Sequence, residues 1–208
     1  MCSKQIIVHS GRRHVLNAAV ASLLLSGMVF TTVAVHTQEM PVPAQIQLPL
    51  LLKVLSADRN LRERAGDELV IGVFYQARYR ASMGTMETLF EIVGKSLNPP
   101  FPDQPVRFVP VPIESDPNWD SLITALDLDV CYVAPLRAMG IGDLLLATRS
   151  NHAVSCTGVP EYVESGVSVG FDTHGGKPQI VINVGAAKAE GIDFTSQLLK
   201  LARIIENG

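Results

Sequence analysis

Few residues in this chain have both the type and the spacing for chemistry. Gly166-Val167-Ser168-Val169-Gly170 matches G-x-S-x-G. A nucleophile elbow puts its serine on a sharp turn between a strand and a helix, with the hydroxyl free. Here the serine lies in a strand-like run that continues into Phe171-Asp172-Thr173-His174. Asp172 and His174 follow too closely to reach Ser168 as a triad. Alternation in an edge strand is the better account, and an esterase ranks third among the readings. Gly94-Lys95-Ser96 imitates the end of a phosphate loop, but Leu89 stands where the motif needs its first glycine. The triplet also ends a helix, where the dipole repels phosphate. His152 and Cys156 are spaced like half a metal site. No C-x-x-C or second histidine group joins them, so no metal is expected.

Two nucleotide or phosphotransfer classes fail on the same kind of test. A receiver domain needs acids after its first strand and a phospho-accepting Asp after its third; Tyr75-Gln76 and Ala134-Pro135 stand there. A dinucleotide fold needs G-x-G-x-x-G after the first strand, where this chain has QARYRASMG. No cofactor is expected, and the formal net charge of −3 with no dense Lys/Arg cluster argues against nucleic acid. Binding is what remains. Ligands of open parallel sheets sit beyond the carboxyl ends of the strands. The loops there are Gln76–Ser82, Ala134–Met139 and Thr157–Glu161, and Arg78, Tyr79, Ser82, Thr157 and Glu161 are the residues expected to build a small polar pocket.

The elements that must position these loops follow from periodicity. Leu69–Tyr75, LVIGVFY, is an unbroken apolar run of strand length, suited to burial on both faces. Val106–Ile113 is a second strand, placed at a sheet edge by Pro110 and Pro112. Val130–Ala134 and Ala153–Cys156 are further buried strands. Helices are expected over Gln45–Leu55, with Pro49 awkward inside it, and over Gly84–Leu97, Trp119–Leu126 and Leu136–Thr148. A short helical turn spans Val159–Glu164, and Arg59–Asp67 is a charged, exposed connection. Val167–Asp172 and Gln179–Val184 form a hairpin about His174-Gly175-Gly176. A short helix, Ala186–Glu190, precedes a final amphipathic helix in which Phe194, Leu198, Leu201, Ala202 and Ile205 share a face and Arg203 occupies the last turn. Alternating strands and helices give an α/β three-layer sandwich. Its sheet has five to six mostly parallel strands, a C-terminal antiparallel hairpin and helices on both faces.

The C-terminal stretch, GG-x-P-x-I-x-I-N followed by small residues, a glycine and S-x-LLKLAR-I-I, resembles the signature of the YfiR-type periplasmic proteins. LLLKVLSADRNL at residues 50–61 and DVCYVAPL at 129–136 fit as well, so the resemblance spans residues 44–206. It implies a small exported, non-enzymatic α/β protein. The best-understood kind holds an inner-membrane diguanylate cyclase in check by direct contact, so the implied partner is a membrane-bound signalling protein, with a small ligand or compartment conditions shifting the contact. A homodimer is compatible with it. The alternative is a solute-binding component of a transport system, although such proteins usually need two lobes around a cleft.

Length and termini agree with export. A chain of 208 residues suits one domain at 45–208, a linker at 36–44 and a targeting segment at 1–35. Lys4, Arg12, Arg13 and His14 form a basic start, Val15–Val35 is free of charge, and Thr32-Val33-Ala34 offers a cleavage site. The same run is long enough to remain as a membrane anchor. Removal of the segment takes Cys2 with it and leaves Cys131 and Cys156, either a disulfide in an oxidising compartment or two small buried hydrophobes.

Overall fold

Leu69–Tyr75 forms β1, and every other layer is arranged about it in this computed structural model. The structure describes residues 39–96 and 99–206, all within a unit that spans Thr37–Gly208. The expected export segment, its cleavage site and residues 36–38 of the expected linker lie outside the described residues, as do Leu97 and Asn98.

In chain order the elements are α1 (Ala44–Leu55), α2 (Leu61–Ala65), β1, α3 (Arg80–Ser96), β2 (Val106–Pro112), α4 (Trp119–Leu126), β3 (Val130–Val133) and α5 (Gly142–Ser150). Then come β4 (Val154–Thr157), α6 (Pro160–Glu164), β5 (Val169–His174), β6 (Lys177–Asn183), α7 (Val184–Ala189), α8 (Ser196–Leu201) and β7 (Arg203–Ile205). One sheet of seven strands runs β2-β1-β3-β4-β5-β6-β7. It is parallel except between β5 and β6. The protein is therefore a three-layer α/β sandwich with a mostly parallel sheet, as the periodicity predicts.

Alternation along the strands divides the core in two. Leu69, Ile71 and Val73 face α1 and α3, packing with Leu48, Leu51, Leu52, Leu55 and Leu89. Val70 and Phe74 face α4 and α5, packing with Trp119, Ile123, Leu144 and Leu145. Phe74 and Trp119 meet edge-to-face with centroids 5.3 Å apart, a geometry that adds about 1 kcal/mol to simple burial. Asn118 accepts the Ser121 N–H and caps α4. Pro49 fits inside α1 because it sits on the exposed side, where water can serve the carbonyl it frees. Gly175 and Gly176 both have positive φ, 57° and 75°, which the tight turn between β5 and β6 requires.

Three expectations need correction. The final helix stops at Leu201; Ala202 turns to extended backbone, and Arg203–Ile205 pairs in parallel with Val181–Asn183. Two consecutive isoleucines serve an open sheet edge better than a helix end. The stretch from Leu136 is not helical before Gly142. Side chains capture its backbone instead: Leu136 N–H donates to the Tyr162 hydroxyl (3.0 Å) and Arg137 N–H to Gln76 Oε1 (2.7 Å). The connection at Arg59–Asp67 contains α2, and Arg64 pairs with the buried Asp58 carboxylate at 2.9 Å.

For the cysteines the sequence leaves a bridge and two buried thiols open, and the register favours the thiols. Cys131 and Cys156 are free. Register aligns Tyr132, not Cys131, with Cys156, so the two thiols point to opposite faces of the sheet and into different halves of the core. Burial pushes both thiols well above their usual range. In a Cys2→Ser chain, a thiol reagent is expected to label nothing before denaturation and both thiols after it; a bridge would leave none to label.

Candidate functional site

The strand order sets where a ligand can sit. From β1 the chain crosses to β2 on one side and then returns to β3 on the other. The loops after β1 and β3 therefore diverge and leave a crevice at the carboxyl ends. A cleft of about 470 Å³ opens there. The loop after β1 contributes Gln76, Ala77, Arg78 and Tyr79; the end of β2 and its loop contribute Pro112, Ile113, Glu114 and Ser115; the loop after β3 contributes Arg137 and Ala138.

Two features hold the cleft in shape. Gln76 joins its two lips, donating from Nε2 to the Arg137 carbonyl (3.2 Å) and accepting the Arg137 N–H. Ser82, fully buried in the first turn of α3, accepts the Gln76 N–H at 2.9 Å and fixes the start of that loop. Ala138 has φ of 55°, the left-handed region that a residue with a Cβ seldom adopts, so the loop after β3 is held in a costly shape at the rim.

The electrostatics favour an anion. Arg78 and Arg137 are exposed on opposite lips, and neither is in an ion pair among the described residues. The 17-residue helix α3 starts next to Tyr79 with no acid in its first turn, so its positive end adds to the two guanidinium groups. Glu114 is the one carboxylate of the lining. Pro112, Ile113 and the Tyr79 ring supply apolar wall.

A family comparison identifies the chain: a model described as YfiR/HmsC-like matches residues 63–203. The chain belongs to the YfiR/HmsC-like family. No curated protein matches this YfiR/HmsC-like chain. Among solved structures it is similar to the ABC domain from Streptococcus pneumonia in complex with L-Trp, with TM-score 0.55 and 19% identity over 78% of this chain and 62% of that one. It is also similar to a conserved domain protein from Vibrio cholerae O1 biovar eltor, with TM-score 0.53 and 18% identity over 78% and 60% of the two chains. At that identity the likeness shows the fold alone. This YfiR/HmsC-like chain spans about 60% of the length of the solved structures it matches. Among its described residues no helix is long and apolar enough to cross a membrane.

The expected pocket residues separate into three groups. Arg78 and Tyr79 line the cleft. Ser82 lies beneath it and serves the loop. Thr157 and Glu161 lie apart, at the end of β4. Thr157 is fully buried, donating to the Val133 carbonyl and accepting the Val159 N–H, while Glu161 is exposed in the first turn of α6. The end of β4 is covered by residues 40–47. Val42 is fully buried, and the Gln47 side chain donates to its carbonyl and accepts from the Tyr132 hydroxyl at 2.7 Å. Gly158 lies against Gln47 and the Met40 sulfur.

The sequence reading missed Gln76, Arg137 and the β2 side of the cleft. Gln76 and Arg137 stood in loops already singled out, but an amide and one more arginine carried no special spacing. Glu114 and Ser115 follow an edge strand whose neighbour the sequence does not name; the strand order puts β2 beside β1.

Ser168 does not act as an elbow. It is fully buried, and its hydroxyl donates to Glu190, itself fully buried. At the opposite, amino end of the sheet, Asp129 accepts the Val70 N–H at 2.8 Å. Desolvation raises its pKa from 3.8 to about 6, with the Asp127 charge adding to the effect. An acid held higher in the folded chain contributes stability below its unfolded value and loses it as pH rises from about 4 to 6. Asp129→Asn keeps the acceptor for Val70 and is expected to match the native chain at pH 4 but exceed it by about 1 kcal/mol at pH 7.5, a figure reduced for partial exposure. Urea titrations at the two pH values measure the difference; a constant offset would contradict it.

Proposed function

We propose that this protein is an exported, non-enzymatic regulator that acts in the periplasm by contact with a membrane-bound signalling enzyme of the diguanylate cyclase type. The family match over residues 63–203 is the observation that carries the reading. The basic start and the uncharged run Val15–Val35 support export. The cleft supports ligand control: a small molecule with an anionic group, held by Arg78, Tyr79 and Arg137, would bind one state of the regulator better than another and shift its contact with the enzyme.

A thermal-shift screen of small organic anions tests the cleft. A ligand at 100 times its Kd stabilises a single site by about 2.7 kcal/mol, so a rise of several degrees is expected from one class of compound. The rise is expected to vanish in Arg78→Ala and Arg137→Ala, whose exposed side chains leave the unliganded Tm unchanged. A shift that survives both substitutions would place the ligand elsewhere.

A solute-binding role in transport is the second reading. The similar Streptococcus structure holds L-Trp, which favours it. Against it, the described residues form a single sheet, whereas a transport receptor usually closes two lobes on its solute.

A further inference from the structure

We infer that the face formed by α1, β6, α8 and β7 docks an amphipathic helix of another protein, with apolar side chains set between carboxylates. The partner rests on the regulatory reading above; the surface does not. Four large hydrophobic residues are exposed among the described residues: Ile46, Leu146, Leu201 and Ile204. Three of them share this face. Leu201, at 73% exposure, ends α8; Ile46 lies on the outer stripe of α1; Ile204 pairs with Ile182 and so stands on the same side of the sheet as Ile180. Ile46 and Leu201 flank a groove of about 400 Å³ whose floor is mainly apolar, with Leu50, Pro178 and Ile180, and to which His174 and Gln179 add polar groups. Scattered exposed leucines need no explanation, but a contiguous apolar groove does.

Charge indicates what fits the groove. The chain has 20 acidic residues, yet α1, β6, α8 and β7 contain no carboxylate. They carry Lys53 on the same exposed stripe as Ile46 and Leu50, Lys177 in the groove lining, and Lys200 beside Leu201. Of the acids next to them, Asp172 is held by Arg203 at 3.1 Å, and Glu206 lies past the end of β7. An apolar groove rimmed by ammonium groups suits a helix that inserts side chains at helical spacing and presents acids at its flanks. A flat bilayer would leave the concave floor unfilled.

The test uses the exported chain and a detergent-solubilised diguanylate cyclase that has a periplasmic domain, taken from the same cells. Leu201→Glu is expected to weaken binding at least tenfold. The double change Lys53→Glu and Lys177→Glu is expected to weaken it several-fold and to flatten its salt dependence. Leu146→Glu, at another exposed leucine, on α5, is expected to change nothing. Native affinity in Leu201→Glu would overturn the surface and leave the regulatory reading standing; no binding by the native chain would overturn both. Sedimentation alone and with phosphatidylglycerol vesicles completes the set. Self-association or vesicle binding that depends on Leu201, with cyclase binding untouched by it, would overturn the helix in favour of a second copy or a lipid surface.

Discussion

Replacing Glu190 with alanine is expected to lower the unfolding free energy by about 3 kcal/mol, while Glu190→Gln is expected to cost under about 1 kcal/mol. Glu190 is fully buried, and among the described residues no cation pairs with it. The Thr148 hydroxyl lies 2.8 Å from Oε1, and Oε2 accepts the Ser155 N–H (2.9 Å) and the Ser168 hydroxyl. Ser155 Oγ accepts the Ser168 N–H in turn. Alanine strips acceptors from groups on α5, β4 and the entry to β5 and leaves a cavity among them. Glutamine keeps an oxygen for Ser155 and Ser168 and turns its amide toward Thr148, whose hydroxyl can donate to the Leu145 carbonyl 3.2 Å away. Burial holds the Glu190 carboxyl above its usual range. Its contribution is therefore greatest at low pH and falls as pH rises through the folded value, so the Gln variant gains on the native chain in that direction. Urea unfolding at pH 5 and 8 measures both effects. Equal losses in the Ala and Gln variants would contradict the network.

Gly158→Ala is the second large effect, with an expected loss of about 2 kcal/mol. A Cβ at 158 would overlap the Gln47 amide and the Met40 sulfur, closer than any van der Waals contact allows. Gln47 cannot simply withdraw, because it is fully buried between the Val42 carbonyl and the Tyr132 hydroxyl. In a Gln47→Ala background the Met40 sulfur is the remaining close neighbour, and as part of a flexible side chain it can shift into the space Gln47 leaves, so the second substitution is expected to cost under about 1 kcal/mol. Chemical denaturation of the two single variants and the double gives the coupling. Strict additivity would show that residues 40–47 do not pack on the end of β4 as described.

The layers of the fold were legible because they rest on local signals. Leu69–Tyr75 suits a doubly buried strand, Pro110 and Pro112 place β2 at an edge, and Trp119–Leu126 has a helical period. The end of the chain misled for a tertiary reason: Leu201 to Ile205 has a helical apolar period, but β6 offers an unpaired edge that only the folded sheet reveals. Arg78 and Tyr79 were found because the carboxyl end of a parallel strand is a general binding position. Gln76, Glu114 and Arg137 meet at the cleft only through strand order, since they stand 23 or more positions apart in the chain. Glu190 gave no signal. An acid at a helix end before Gly191 reads as solvated, and only the crossing of α5, β4 and β5 over it makes it interior.

The account stands on regulation by contact, and cyclase output measures that contact. Membrane vesicles carrying a diguanylate cyclase, with its periplasmic domain facing outward and nucleotide supplied inside, are treated with the exported chain while cyclic-di-GMP is followed. The account predicts that synthesis falls as the chain is added and saturates at one chain per cyclase periplasmic domain, with no consumption of any added metabolite. Unchanged synthesis at every concentration, in vesicles whose cyclase is active, would contradict it.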